Sequence, residues 1–249
     1  MSTLAASHAI SAPSSQLTRV GKLFYAPGEL GQDIRRNRSW WLPYLITILL
    51  VYGLSIAAAR RVGFEQLTFN IMRAEGISDP LNSDPAGTNQ VGANFRNTVT
   101  VLQVSTYAAP LVILIYNTVY ALALQMAFRL LAGVKANFNL IFTILVYCDL
   151  IQDVRTILST IVLYLDTEPN NYNLQNPVGT NFGYFFKVGY APWVRVIFEA
   201  ADIVTIWYLL VIAFGCAVAL NVDKKMSYSL VFGLWLMVVT VRTLWAVII

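Results

Sequence analysis

The chain has 249 residues, of which 57% are hydrophobic and 12% charged, with a formal net charge of +4. That is about half the charge content of an ordinary soluble domain. The basic residues sit beside apolar runs instead of forming one patch, so the charge is no nucleic-acid footprint and no nucleic-acid partner is expected.

A helix rises 1.5 Å per residue, so about 20 apolar residues cross a hydrocarbon core. Five runs qualify: 40–59, 99–131, 138–165, 194–220 and 226–249. They are continuous where a barrel would alternate. The expected fold class is all-α: an integral membrane bundle of five transmembrane helices with an N-terminal amphipathic juxtamembrane segment.

In chain order, residues 1–16 are small and polar and read as a disordered tail, with no apolar stretch of the kind a cleavable signal peptide needs. Residues 17–39 read as a membrane-surface segment. Leu17, Val20 and Phe24 recur at helical spacing, Arg19 and Lys22 lie off that face, and Pro27 opens a second turn in which Leu30 and Ile34 share a side. Arg35, Arg36 and Arg38 then precede Trp40 and Trp41. A basic cluster beside an aromatic anchor suits the cytoplasmic leaflet, so Arg19, Lys22, Arg35, Arg36 and Arg38 are expected to face lipid or a partner.

Residues 40–249 form the spanning domain, with outer loops at 60–98 and 166–193. Lys and Arg counted on alternate sides give nine against six in favour of a cytoplasmic N-terminus. Five crossings then put the C-terminus outside a cytoplasmic (inner) membrane, although Arg60 and Arg61 at the outer end of the first run count against it. The run 99–131 is too long for one straight crossing, and Pro110 is the expected kink. In the first outer loop Phe64, Leu67 and Ile71 predict a short interfacial helix. Both outer loops also carry a similar turn: Asp84-Pro85-Ala86-Gly87-Thr88-Asn89 and Asn176-Pro177-Val178-Gly179-Thr180-Asn181. Asx-Pro and Gly are turn chemistry, so two similar tight turns are expected, and the alternative is that both caps meet over the outer mouth.

Six ionisable groups fall within the runs: Asp149, Asp153, Arg155, Glu199, Asp202 and Arg242. Asp149 and Asp153 share one helix face and Arg155 points elsewhere; Glu199 and Asp202, three apart, are expected to share a face. Helix rise places Arg155, Asp202 and Arg242 roughly 10–15 Å in from the outer end, close enough in depth to meet. Four carboxylates face two guanidinium groups, so two must find neutral partners, a proton or a cation.

Nothing resembles a nucleophile–base pair, a zinc spacing or a phosphate loop, so no enzyme and no metal site is expected. His8 lies in the tail, which leaves no intramembrane axial ligand for haem, and no cofactor is expected. Cys148 and Cys216 fall inside runs and read as packing residues.

Several stretches resemble the Yip-domain family, membrane proteins named for interaction with Rab/Ypt GTPases, and especially its bacterial members. They are Phe24-Tyr25-Ala26-Pro27 with Ser39-Trp40-Trp41-Leu42-Pro43, the link Gly133-Val134-Lys135-Ala136-Asn137-Phe138, Tyr147-Cys148-Asp149, and Asp202-Ile203-Val204-Thr205-Ile206-Trp207 with Gly215. The family's Pro after the third stretch is absent, and Val204 replaces an aromatic. The resemblance implies five helices, a cytoplasmic N-terminus and an outer C-terminus; eukaryotic relatives work in vesicle traffic. The chain reads as a non-enzymatic scaffold or accessory subunit contacting membrane lipids and other membrane proteins or its own copies. The alternative is a secondary transporter or ion/proton channel using the intramembrane carboxylates.

Overall fold

The computed structural model describes residues 14–74, 90–165, 168, 171–185 and 191–248. They form ten α-helices: α1 Gln16–Tyr25, α2 Pro27–Arg36, α3 Trp41–Arg61, α4 Phe64–Ala74, α5 Gln90–Tyr107, α6 Ala109–Leu131, α7 Phe138–Leu165, α8 Pro192–Ala200, α9 Ile203–Leu220 and α10 Lys224–Ile248. The only extended pairing among the described residues is one antiparallel bridge between Asn181 and Asp202. The molecule is all-α, as its unbroken apolar runs require.

α7 is the axis. It packs against α1, α2, α3, α6 and α9, while α10 closes the side formed by α6, α8 and α9. Every residue from Leu140 to Cys148 is buried. That run carries Leu, Ile, Phe and Val around its whole circumference, so it is stable only where neighbours cover all of it. Cys148 and Cys216 are both fully packed in this core.

Helices α3, α6, α9 and α10 are long and apolar enough to cross a membrane. α7 has 28 residues, about 42 Å at helical rise, but it carries Asp149, Asp153 and Arg155.

Two of the long runs are broken. The run 99–131 is divided at Ala108, with Pro110 in the first turn of α6, where its missing N–H costs nothing. α5 packs against α4, outside the bundle proper. The run 194–220 is divided at Ala201–Asp202, where Asp202 has the extended backbone of an N-cap (φ −107°, ψ 128°). Glu199 and Asp202 therefore do not share a helix face, because the helix that would have aligned them ends between them.

Gly63 (φ +91°) and Gly133 (φ +65°) make the sharp exits from α3 and α6, a left-handed conformation that glycine adopts without a Cβ clash. Asn221 (φ 54°) does the same after α9. At the short link after α6, Gln125 Nε2 and Arg129 Nε both donate to the Ala136 carbonyl at 3.1 Å, tying the turn down. The expected interfacial helix is α4; its Leu67 and Ile71 are buried, and Leu67 joins a second small core with Ala58, Leu163 and Tyr172.

The N-terminal segment is more deeply built in than its sequence implies. Ser14 to Gln16, expected in the tail, already belong to it, with Ser15 Oγ capping α1 through the Thr18 N–H at 3.1 Å. α1 and α2 form a short hairpin packed against α7 and α9. Leu23, Leu30 and Ile34 are buried there, worth roughly 1.5–3 kcal/mol per side chain. Arg19 is also buried, with Nε donating to the Ser14 carbonyl (3.1 Å) and a terminal nitrogen to the Asn37 carbonyl (2.9 Å). The stripe of Leu17 and Phe24 is largely exposed instead. Arg19, expected to face lipid or a partner, is instead turned inward because the hairpin seats its guanidinium on two backbone carbonyls. Arg35, Arg36 and Arg38 are exposed as expected.

Candidate functional site

The site is a polar layer that runs from the middle of α7, at Asp149 and Asp153, to the start of α9 and the outer loop. Asp153 faces α3, where Thr47 Oγ1 donates to its Oδ2 at 2.6 Å; both residues are buried. Asp149 faces α6 and accepts from Asn117 Nδ2 at 2.5 Å. Arg155 turns the other way, toward α9, so the expected division of faces on α7 is what the helix presents. The two carboxylates left over from ion pairing are thus met by neutral donors from two different helices.

Arg155 reaches Asp202 Oδ1 at 2.6 Å and Thr205 Oγ1 at 3.0 Å. Asp202 does several jobs at once. Its Oδ1 accepts the Thr205 N–H at 2.8 Å, the usual geometry of an N-cap. Its Oδ2 accepts from Thr180 Oγ1 at 2.5 Å, and the Ile203 N–H donates to the Thr180 carbonyl at 3.0 Å. The second outer-loop turn is thereby latched to the start of α9. Within that turn Asn176 and Asn181 exchange amide hydrogen bonds at 3.2 and 2.9 Å, and Asn181 Oδ1 also accepts the Tyr184 N–H at 3.0 Å. Pro177 and Gly179 lie inside the same turn, and Gly179 is packed against Tyr184 and Phe185. Asp84, Pro85, Gly87 and Asn89 lie outside the described residues, so the meeting of two caps is an expectation on the first turn only.

Gly183 follows directly, backed onto α8 so closely that a Cβ there would lie 2.6 Å from Glu199 Cγ and 3.0 Å from the Glu199 nitrogen. Glu199 is held by Arg195 at 3.8 Å, and Arg195 also donates to the Ala74 carbonyl at 2.6 Å, linking α8 to α4. A second tie crosses the same end: Asn70 Nδ2 donates to the Tyr172 carbonyl at 2.9 Å, and the Tyr172 hydroxyl donates to the Ser159 carbonyl at 3.2 Å. Burial pushes the Tyr172 hydroxyl up to about 12, so it remains a donor at neutral pH.

A cleft of about 540 Å³ lies below this cap, between α6, α7, α9 and α10. Arg155, Glu199 and Arg242 all line it. Of the three groups whose depths allow a meeting, Arg155 and Asp202 are bonded, and Arg242 lines the same cleft as Arg155.

Sequence reasoning named the charged members of this layer and missed the neutral ones: Thr47, Asn117, Thr180 and Thr205. Thr47 and Asn117 had a usable signal, a polar side chain inside an otherwise apolar run. Asp202 and Thr205 carried the pattern of an acidic N-cap before an apolar helix.

The Yip1 domain matches residues 21–246. The chain belongs to the Yip1 domain family. No curated protein and no solved structure matches it. The Yip1-like stretches, far apart in sequence, meet in space. Phe24 sets its ring edge-on to Trp207 with centroids 5.9 Å apart. Gly31 lies against the Gly215 carbonyl, at 3.2 Å from where a Cβ would stand. This Yip1-family membrane protein thus has its N-terminal hairpin as a packed part of the bundle, seated on α9.

Proposed function

We propose that this Yip1-domain protein is a five-span, non-enzymatic scaffold or accessory subunit of a bacterial inner-membrane assembly, in which α7 crosses together with α3, α6, α9 and α10. Its N-terminus and α1–α2 hairpin lie on the cytoplasmic side and its C-terminus outside. The observation that carries this reading is how the charges of α7 are used. Asp153 is held by α3, Asp149 by α6, and Arg155 by the start of α9. Each ionisable group ties the axis to a different neighbour, the arrangement of a framework. Arg35, Arg36 and Arg38, exposed beside Trp40 and Trp41, give the hairpin a basic rim toward anionic lipid or an acidic partner.

Extraction in mild detergent followed by native co-purification tests the reading. Stoichiometric membrane partners, or copies of the chain itself, support it. Cysteines placed at Asn137 and Leu165 should label from opposite sides of the membrane; labelling from one side rejects α7 as a crossing.

The transporter or proton-channel alternative has one observation in its favour. Asn117 Oδ1 is buried with no hydrogen-bond partner among the described residues, next to Asp149. A proton or cation flux in reconstituted vesicles that Asp153→Asn abolishes, with the fold intact, decides for that alternative.

A further inference from the structure

We infer that the cleft between α6 and α10 is a lateral binding site for a phosphodiester lipid, the phosphate meeting Arg242 and Arg155 beneath the outer-loop cap and an acyl chain running down between the two helices.

Three observations converge on this. The first is shape. The cleft of about 540 Å³ is lined on one side by Tyr116 and Val119 of α6 and on the other by Met237 and Val238 of α10. All four are exposed, by 47–61%. The cleft therefore opens sideways between two membrane-spanning helices, the side from which a lipid enters.

The second is polarity along the axis. The end under the cap carries Arg155, Arg242 and the amides of Gln175, Asn176 and Asn181; the opposite end is apolar and aromatic, with Tyr120, Leu234 and Trp235. That is the profile of an amphiphile with a polar head and a hydrocarbon tail, and Trp and Tyr suit the boundary between the two.

The third is charge. Arg155 and Arg242 line the polar end, with Arg195, Glu199 and Asp202 beside it, and Asp149, deeper in the bundle, is held by Asn117. Arg155 is paired to Asp202 and Arg195 to Glu199. Arg242 is the remaining cation, and Arg155 still has its Nε buried without a hydrogen-bond partner. A guanidinium with no ion pair among the described residues, beside a second unfilled N–H, suits a monoanion with several acceptor oxygens, which a phosphodiester is. Glu199 on the rim disfavours a doubly charged head.

The full chain in lipid nanodiscs tests this with Trp235 as reporter, its signal isolated by subtracting the Trp235→Phe variant. Tail-brominated phosphatidylglycerol is expected to quench that signal at roughly one-tenth the mole fraction that tail-brominated phosphatidylcholine requires, as befits one added charge-assisted contact. Arg242→Gln should bring the two lipids to parity, and Arg242→Lys should retain part of the preference. Arg242 is exposed, so neither variant threatens the fold. Equal quenching by both lipids in the unaltered protein, or an unchanged preference in Arg242→Gln, overturns the proposal. So does relief of quenching by millimolar inorganic phosphate, which assigns the anion contact to a soluble occupant.

Discussion

Arg155 and Asp202 are joined at 2.6 Å across α7 and α9, and the same Asp202 caps α9 and receives Thr180 from the outer loop. One carboxylate thus fixes a helix start, an interhelical tie and a loop. Asp202→Ala is expected to cost about 3 kcal/mol, the low end for a broken buried pair because 32% of the Arg155 side chain stays exposed. Asp202→Asn keeps the N-cap acceptor and should cost less. Chemical unfolding in detergent, run as a double-mutant cycle with Arg155→Gln, measures the coupling; additivity of the two changes would deny the tie.

Gly183 has no room for a side chain, with Glu199 atoms at 2.6 and 3.0 Å from a Cβ position. The closer atom belongs to a flexible side chain, but the other is backbone and gives way only if α8 shifts. Gly183→Ala should lift the cap from α8 at a cost of roughly 1–3 kcal/mol. Limited proteolysis across residues 171–185 reads the outcome, and an unchanged cleavage rate would show that the contact is relaxed at no cost.

At the other end, a Cβ on Gly31 would stand 3.2 Å from the Gly215 carbonyl and 3.3 Å from Val218 Cβ. Gly31→Val should undock the α1–α2 hairpin. A cysteine introduced at Leu23, which is 1% exposed, is expected to resist maleimide in the parent and to react once Gly31 is enlarged. Equal protection in both proteins would mean that the hairpin docks without this close approach.

The hairpin also predicts a pH dependence. Burial pushes the Asp33 carboxyl up, but hydrogen bonds from Ser14 and Lys22 and the charges of Lys22 and Arg19 outweigh it and hold the group below its ordinary value of 3.8. Lys22 is held above its ordinary 10.5 by hydrogen bonds to Asp33 and Glu29. A lowered carboxyl contributes stability above its ordinary value and loses it as pH falls through the folded one; a raised amine contributes below its ordinary value and loses it as pH rises through the folded one. Docking should therefore be flat between these limits and weaken in acid below 3.8. The Leu23 cysteine reports it, and Asp33→Asn should remove the acid transition.

Thr47→Val keeps the volume near Asp153 but deletes the donor at 2.6 Å. An acceptor left buried without its partner costs roughly 1–3 kcal/mol. Thermal unfolding in detergent checks this, and a neutral result would place water in contact with Asp153.

The sequence by itself determined that the chain is helical and lies in a membrane, because continuous apolar runs have one stable environment and spacing fixes which residues share a face. It showed that Asp149 and Asp153 point away from Arg155, that Pro110 interrupts a long run, and that the chain has the stretches of a Yip1 domain. Tertiary structure alone decided that the helix breaks at Asp202, that Arg19 is buried while Leu17 is exposed, and which neutral groups satisfy each carboxylate. Those outcomes depend on partners distant in the chain, Thr180 for Asp202, Asn37 for Arg19, Thr47 for Asp153. Local spacing carries no information about what a side chain meets across a bundle, and the cost of leaving a buried charge unmet is what selects the partner.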